Sequence, residues 1–358
     1  MSNNSSEAEI QRTQKMEQSL APVKKSWFRA FLQNMALAGV TFLFCFVALE
    51  VALRLWGFGN LEIYVADPVL YWRLKPNQDC FTKVDHKPVH INSMGTRGPE
   101  FSITKPANTI RILSLGDSKT FGWGMTEEEA YGAAVERQLQ EYLGSGKKVE
   151  VINAGVNAWS YPQMFNYLRT YGLSYQPDIV LLADANLWTQ FSEQNSPDFV
   201  RKFMWRVRLK NLLRRFATYH YIVEYQLQAF YEHTRQKFVP IDPKQDELFK
   251  EQQQKDPDAF FRDYIERICS LSLSNHIKPV LLFIPTTLQL EEKADSQVLR
   301  AKKQVAAKYS VPLVDLTPEL KPEGKNLYLD ADIAHLNVRG NVIVANKLYP
   351  VLTNIVAQ

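Results

Sequence analysis

The sequence predicts a three-layer α/β/α sandwich on a mostly parallel five-stranded sheet, preceded by one transmembrane helix. Three observations predict it. Five short apolar runs alternate with helix-like segments across residues 109–358, and strands alternating with helices through short loops build a parallel sheet covered on both faces. A hydrophobic content of 46%, with 12% aromatics, is enough for a sizeable core. One stretch near the N-terminus, "AFLQNMALAGVTFLFCFVAL" (Ala30–Leu49), is free of charge over twenty residues, which at 1.5 Å per residue crosses the ~30 Å hydrocarbon layer.

Residues 1–23 are polar and without period, as in a disordered cytoplasmic tail. Residues 24–57 form the signal anchor. No small-residue cleavage site follows the apolar run; Arg54, Leu55 and Trp56 do. Lys15, Lys24, Lys25 and Arg29 precede it, so the positive-inside rule puts the N-terminus in the cytoplasm and the rest of the chain in the periplasm or cell exterior. Residues 58–108 contain Pro and Gly and read as short strands and turns.

From residue 109 the alternation begins. "TIRILSLG" reads as a buried strand. "TEEEAYGAAVERQLQEYLG" follows as a helix, opened by Thr126 and closed by Gly144. Then come strand "VEVINAG", helix "SYPQMFNYLRTYG" and strand "PDIVLLAD". A helical insertion, 188–257, interrupts the pattern. It holds seven basic residues from Arg201 to Arg215 with no acid among them. Such a stretch can lie on anionic headgroups, close over an acidic substrate, or pack on its own scaffold as a solvated excursion. Helix "DAFFRDYIERICSLSLSN", strand "KPVLLFIP", helix "EEKADSQVLRAKKQVAAKYS", strand "PLVDL" and a last helix from Val338 complete the order.

Several classes are excluded on composition. The net charge of +4 is mild for a dedicated nucleic-acid binder. Cys45, Cys80 and Cys269 lack zinc-site spacing, and no metal or cofactor is expected. A Cys80–Cys269 bridge stays open for a domain in an oxidising compartment. "GDSKT" does not make a phosphate loop, because Ser118 and Leu113 stand where that loop needs glycines.

In open α/β sheets the ligand sits beyond the carboxyl ends of the strands. Those ends deliver Gly116-Asp117-Ser118, then Asn153-Ala154-Gly155 with Asn157, then Asp184-Ala185-Asn186, and finally Asp330, Asp332 and His335 in "LDADIAHLNVRG". A serine attacks an ester poorly unless an imidazole takes its proton. His335 is the candidate base, and Asp332 the carboxylate that orients it. The amides of Ser118 and Gly155 and the side chain of Asn186 are the candidate oxyanion donors.

With these residues in place the sequence resembles the SGNH (GDSL) hydrolases over about residues 90–355. Gly116-Asp117-Ser118 matches the first block, Gly155 the second, Asn186 the third, and Asp332-Ile333-Ala334-His335 the final DxxH. "GTRGPEF", before the first block, resembles membrane-anchored members. The third block departs: Asp184-Ala185-Asn186-Leu187 stands where the family has Gly-x-Asn-Asp. The resemblance implies a flavodoxin-like five-stranded fold and a serine esterase or acyltransferase acting through an acyl-enzyme. The expected substrate is an O-acylated, above all O-acetylated, carbohydrate of the cell envelope. Lipid-ester hydrolysis and an inactive scaffold that binds a glycan or envelope partner are the alternatives.

Overall fold

The computed structural model describes residues 11–13, 23–61, 64–82, 87–185, 197–227, 255–293, 296–330 and 332–357. The chain divides into two compact units, Met1–Phe58 and Gly59–Gln358. In the first, helix α1 (Val23–Leu55) extends the expected apolar run at both ends. Its Trp27–Leu55 portion is long and apolar enough to cross a membrane, and almost none of it is buried. Arg54 pairs with Glu50 one turn earlier at 2.7 Å, as their spacing of four predicts.

The second unit opens with two antiparallel hairpins, β1 (Tyr64–Asp67) on β2 (Tyr71–Leu74) and β3 (Gln78–Phe81) on β4 (Pro88–Ile91). The main sheet holds β5 (Thr109–Gly116), β6 (Lys148–Gly155), β7 (Ile179–Leu182), β8 (Lys278–Phe283) and β9 (Leu313–Asp315). All are parallel, in the order β6-β5-β7-β8-β9. The chain steps outward from β5 to β6 and then crosses back to β7. That reversal opens a crevice at the carboxyl ends of β5 and β7, where α/β sheets bind ligands.

Period-two alternation sends neighbouring side chains into two cores. Leu113, Leu115, Val180, Leu182, Leu281 and Phe283 enter the core under α4 (Tyr161–Thr170), α6 (Ala259–Ser274) and α7 (Gln297–Tyr309). Ile112, Ile179, Leu181, Val280 and Leu282 enter the other, under α3 (Tyr131–Leu143) and α8 (Val338–Val356). The three-layer expectation holds.

Two helices begin later than the sequence suggests. The helix expected from Thr126 starts at Tyr131. The Glu129 carboxylate accepts the Thr126 amide at 2.8 Å and meets Lys87, closing a separate turn, and the Tyr131 amide is taken by Asn341 Oδ1 at 3.1 Å. The segment expected as helix from Glu291 starts at Gln297; Glu291 instead ends a short helix, Thr287–Leu290, which a capping box of Thr286 and Gln289 opens. Cys80 and Cys269 are both buried and are not joined by a disulfide, so the bridge left open by the sequence is not formed; burial pushes the Cys269 thiol up to about 12.

Candidate active site

β5 is buried along its whole length and ends at Gly116. Asp117 caps the turn that follows, its side chain accepting the Lys119 amide at 2.9 Å. The helical turn α2 (Ser118–Phe121) closes on Gly122, which takes φ 86°, a left-handed conformation that suits glycine. Ser118 sits at the first helical position, and among the described residues no hydrogen bond occupies its amide. Gly155, at the end of the adjacent β6, lies directly against this turn: a side chain there would overlap the Phe121 amide nitrogen.

The four strand-end groups meet in part. Ser118 Oγ lies 2.7 Å from His335 Nε2. His335 Nδ1 lies 2.7 Å from Asp332 Oδ2. The second Asp332 oxygen accepts the backbone amides of Ala334 at 2.7 Å and His335 at 3.0 Å, which locks the carboxylate within its own loop. Burial works to raise the Asp332 pKa, but the hydrogen bond and charge of His335 outweigh it and hold the group below the usual carboxylate range. An ionised Asp332 places the imidazole proton on Nδ1 and leaves Nε2 to accept from the serine hydroxyl. That is the arrangement a serine nucleophile needs.

The expected oxyanion donors divide. Gly155 donates its amide to Asn153 Oδ1 at 3.0 Å. Asn157 donates its side-chain amide to the Tyr64 hydroxyl at 2.9 Å. Asn186 lies outside the described residues. Ala158, in the same loop, takes φ 65°, an uncommon conformation for a residue with a Cβ.

Residues to which sequence reading gave no role hold the turn in place. Asp184, at the end of β7, is 4% exposed. It accepts from Lys119 Nζ at 3.2 Å, from Lys302 Nζ at 2.7 Å and from the Ile284 amide at 2.6 Å. Its carbonyl accepts the Asp117 amide. Lys302, on α7, is wholly buried and also donates to the Leu282 carbonyl. Burial alone would raise the Asp184 pKa; the two ammonium groups overcome it and the net direction is down. Neighbouring Asp117, with weaker compensation, is pushed up by burial. Two carboxyl and two amino groups thus form one cluster beneath the serine.

Arg97, from "GTRGPEF", is 2% exposed. Its guanidinium donates to the carbonyls of Phe121 at 2.7 Å, Gly122 at 2.8 Å and Met125 at 2.6 Å. Its own amide donates to the Asn153 carbonyl of β6. Fork geometry lets one arginine fix three carbonyls of the loop that follows the serine. Trp123 donates its amide to Ser118 O and sets its ring 5.7 Å from that of His335 at 30°. A pocket beside His335 is lined by Lys119, Trp123, Ile284 and Leu336.

The family model of the GDSL-like lipase/acylhydrolase family matches residues 114–343, more than half of the chain. No curated protein shows significant similarity to it. Among solved structures, the lipase/acylhydrolase from Enterococcus faecalis is 16% identical with TM-score 0.43, covering 68% of this chain and 96% of its own. The acetyl xylan esterase AlAXEase is 17% identical with TM-score 0.42, covering 68% and 100%. A two-domain esterase (CEX) active on acetylated mannans is 15% identical with TM-score 0.43, covering 70% and 50%.

Proposed function

Because the chain belongs to the GDSL-like lipase/acylhydrolase family, we propose that it is a membrane-anchored serine esterase or O-acyltransferase. Ser118 is the nucleophile, His335 the general base and Asp332 the group that orients it. The observation that carries this reading is the unbroken relay of two 2.7 Å contacts from Ser118 Oγ through the imidazole to Asp332. The hydroxyl attacks an ester carbonyl and its proton passes to Nε2. The imidazolium then returns that proton to the leaving oxygen, and an acyl-enzyme remains. Water completes hydrolysis; a sugar hydroxyl completes transfer.

Donors for the developing oxyanion begin with the Ser118 amide, at the first position of α2 and taken by no hydrogen bond among the described residues. Asn186 is the second. Gly155 would serve only on releasing Asn153 Oδ1. Loss of one such donor costs about 10²- to 10³-fold in turnover. Asn186→Ala is therefore expected to slow turnover by that order at unchanged folding. If Asn157→Ala does so instead, the third block is misaligned.

The substrate we favour is an O-acetylated carbohydrate. Trp123 supports it, because a half-buried indole beside the base gives a substrate ring apolar surface to pack on. Full-length protein in detergent is expected to release acetate from acetylated polysaccharide and from short-chain aryl esters. A marked preference for long acyl chains would favour lipid esters, and no turnover of any ester would favour a binding scaffold.

The anchor reading places the N-terminus in the cytoplasm and the catalytic domain outside. The basic residues ahead of the apolar run, Lys24, Lys25 and Arg29 in the first turns of α1 among them, and the length of the helix support it. A C-terminal alkaline phosphatase fusion is expected to be active in a Gram-negative host, with the chain retained in the membrane after a carbonate wash. An inactive fusion would overturn the placement.

A further inference from the structure

Helix α5 (Pro197–Leu213) belongs to the basic insertion, and the proposed chemistry makes no use of it. Its inner face is accounted for. Phe199, Phe203 and Val207 pack on the core beneath β1 and β2, with Phe203 against the rings of Tyr71 at 6.2 Å and Trp72 at 5.3 Å. Asn211 bonds both the amide and the carbonyl of Tyr64. Arg214, just past the helix, is buried.

The opposite face is apolar too. Trp205, Leu209 and Leu212 recur at i, i+4 and i+7, which places them within about 60° of one another on a 3.6-residue helix. They are 62%, 41% and 53% exposed, and Phe216 beyond the helix end is exposed as well. On one side of this stripe lie Arg201 and Arg208, on the other Lys202 and Arg206, all exposed. Arg201 also pairs with Asp198, the one acid of the helix, at 2.7 Å. A core helix buries its apolar face, and a solvated helix has a polar one. A helix with an outward Trp-Leu-Leu stripe bordered by cations has the composition of one that lies in the interfacial layer of a membrane.

Chain connectivity supports a lipid occupant over a protein one. His220, buried in the turn after α5, accepts the Gly59 amide at 2.8 Å, and Gly59 is the fourth residue after the end of α1. A backbone amide four residues past the end of α1 is thus held by the turn after α5. We infer that the outward face of α5 is a lipid-docking surface. Trp205, Leu209 and Leu212 enter the boundary between headgroups and acyl chains, while Lys202, Arg206 and Arg208 meet the phosphates of anionic lipids. The inference rests on the anchor reading for its proximity argument alone, and its test reads a different quantity from the carbonate wash.

The test uses the full chain with Cys45→Ser and Leu209→Cys, carrying an environment-sensitive fluorophore at position 209. It is placed in nanodiscs of phosphatidylcholine with and without phosphatidylglycerol. In the anionic discs, emission should shift to the blue and quenching by uncharged aqueous acrylamide should fall several-fold relative to the neutral discs. High salt should reverse part of that protection, because exposed charges are screened. Lys202→Glu with Arg206→Glu and Arg208→Glu should restore acrylamide access in anionic discs while ester turnover persists. The salt arm keeps the test decisive if that triple variant folds poorly. Quenching that is indifferent to lipid charge and salt would overturn the inference, and would point to another segment of this chain covering the stripe. Protection that appears only at high protein-to-lipid ratio would overturn it in favour of a second copy.

Discussion

Ser118→Ala is expected to lower ester turnover by about 10³-fold or more, His335→Ala by a similar factor, and the double variant little beyond either. The reason is geometric. The hydroxyl and imidazole are one hydrogen-bonded unit at 2.7 Å, so removing either end removes the covalent route altogether. What survives is binding and oxyanion stabilisation, which neither substitution touches directly. Asp332→Asn should cost less, since it leaves the serine and base in place, but it is still expected to cost a large factor. The asparagine reverses the polarity at Nδ1 and holds the imidazole in the tautomer that cannot accept from Ser118. Steady-state kinetics on one aryl ester across the four variants reads all of this. Independent, multiplying losses from Ser118 and His335 would contradict a single catalytic unit.

Asp184→Ala is expected to be the most damaging substitution to stability near the site, about 3–5 kcal/mol, the range for breaking a buried ion pair by removing one partner. Two ammonium groups depend on that carboxylate, and Lys302 is fully buried. Lys302→Met should cost less, because a long apolar side chain fills the same space and Lys119 still compensates Asp184. The effect has a pH signature. The folded Asp184 pKa lies below the ordinary carboxylate value, so its contribution is complete above the unfolded value of ~4 and is lost as pH falls through the folded one. The gap in stability between wild type and Asp184→Ala should therefore shrink on acidification. Urea unfolding at neutral and acid pH measures it; a gap that widens towards acid would contradict the assignment.

What was legible in the sequence was whatever local pattern dictates. The five strands are short, largely apolar runs, and the ends of β5, β6 and β7 are marked by Gly, Asp and Asn, so the groups those strands deliver to the sheet edge could be read directly. The DxxH spacing was equally local: Asp332 and His335 are partnered within one loop. Groups whose partners are distant in sequence were not legible. Lys302 is a lysine on an otherwise amphipathic helix, which in sequence reads as a solvated position. Its partner Asp184 is 118 residues away. Arg97 likewise carries no local sign that it will bind three carbonyls beyond the serine. Thr126 misled because three acids after a threonine resemble a helix start, whereas Glu129 is used to close a turn and reach Lys87.

Gly155 is the instructive intermediate. Sequence reading makes it an oxyanion donor, with no side chain to block approach to its amide, and the structure gives the missing side chain a steric use against Phe121. Whether its amide also serves an oxyanion depends on Asn153, which holds that amide in the structure, and nothing in a glycine's identity distinguishes the two uses.

The central claim is that Ser118 is a nucleophile made reactive by His335, and covalent labelling tests it most directly. Full-length protein treated with a fluorophosphonate and digested for mass spectrometry should carry the phosphonyl adduct on the Ser118 peptide, and the His335→Ala protein should carry almost none. An adduct on another serine, or labelling of Ser118 that is undiminished without His335, would contradict the account.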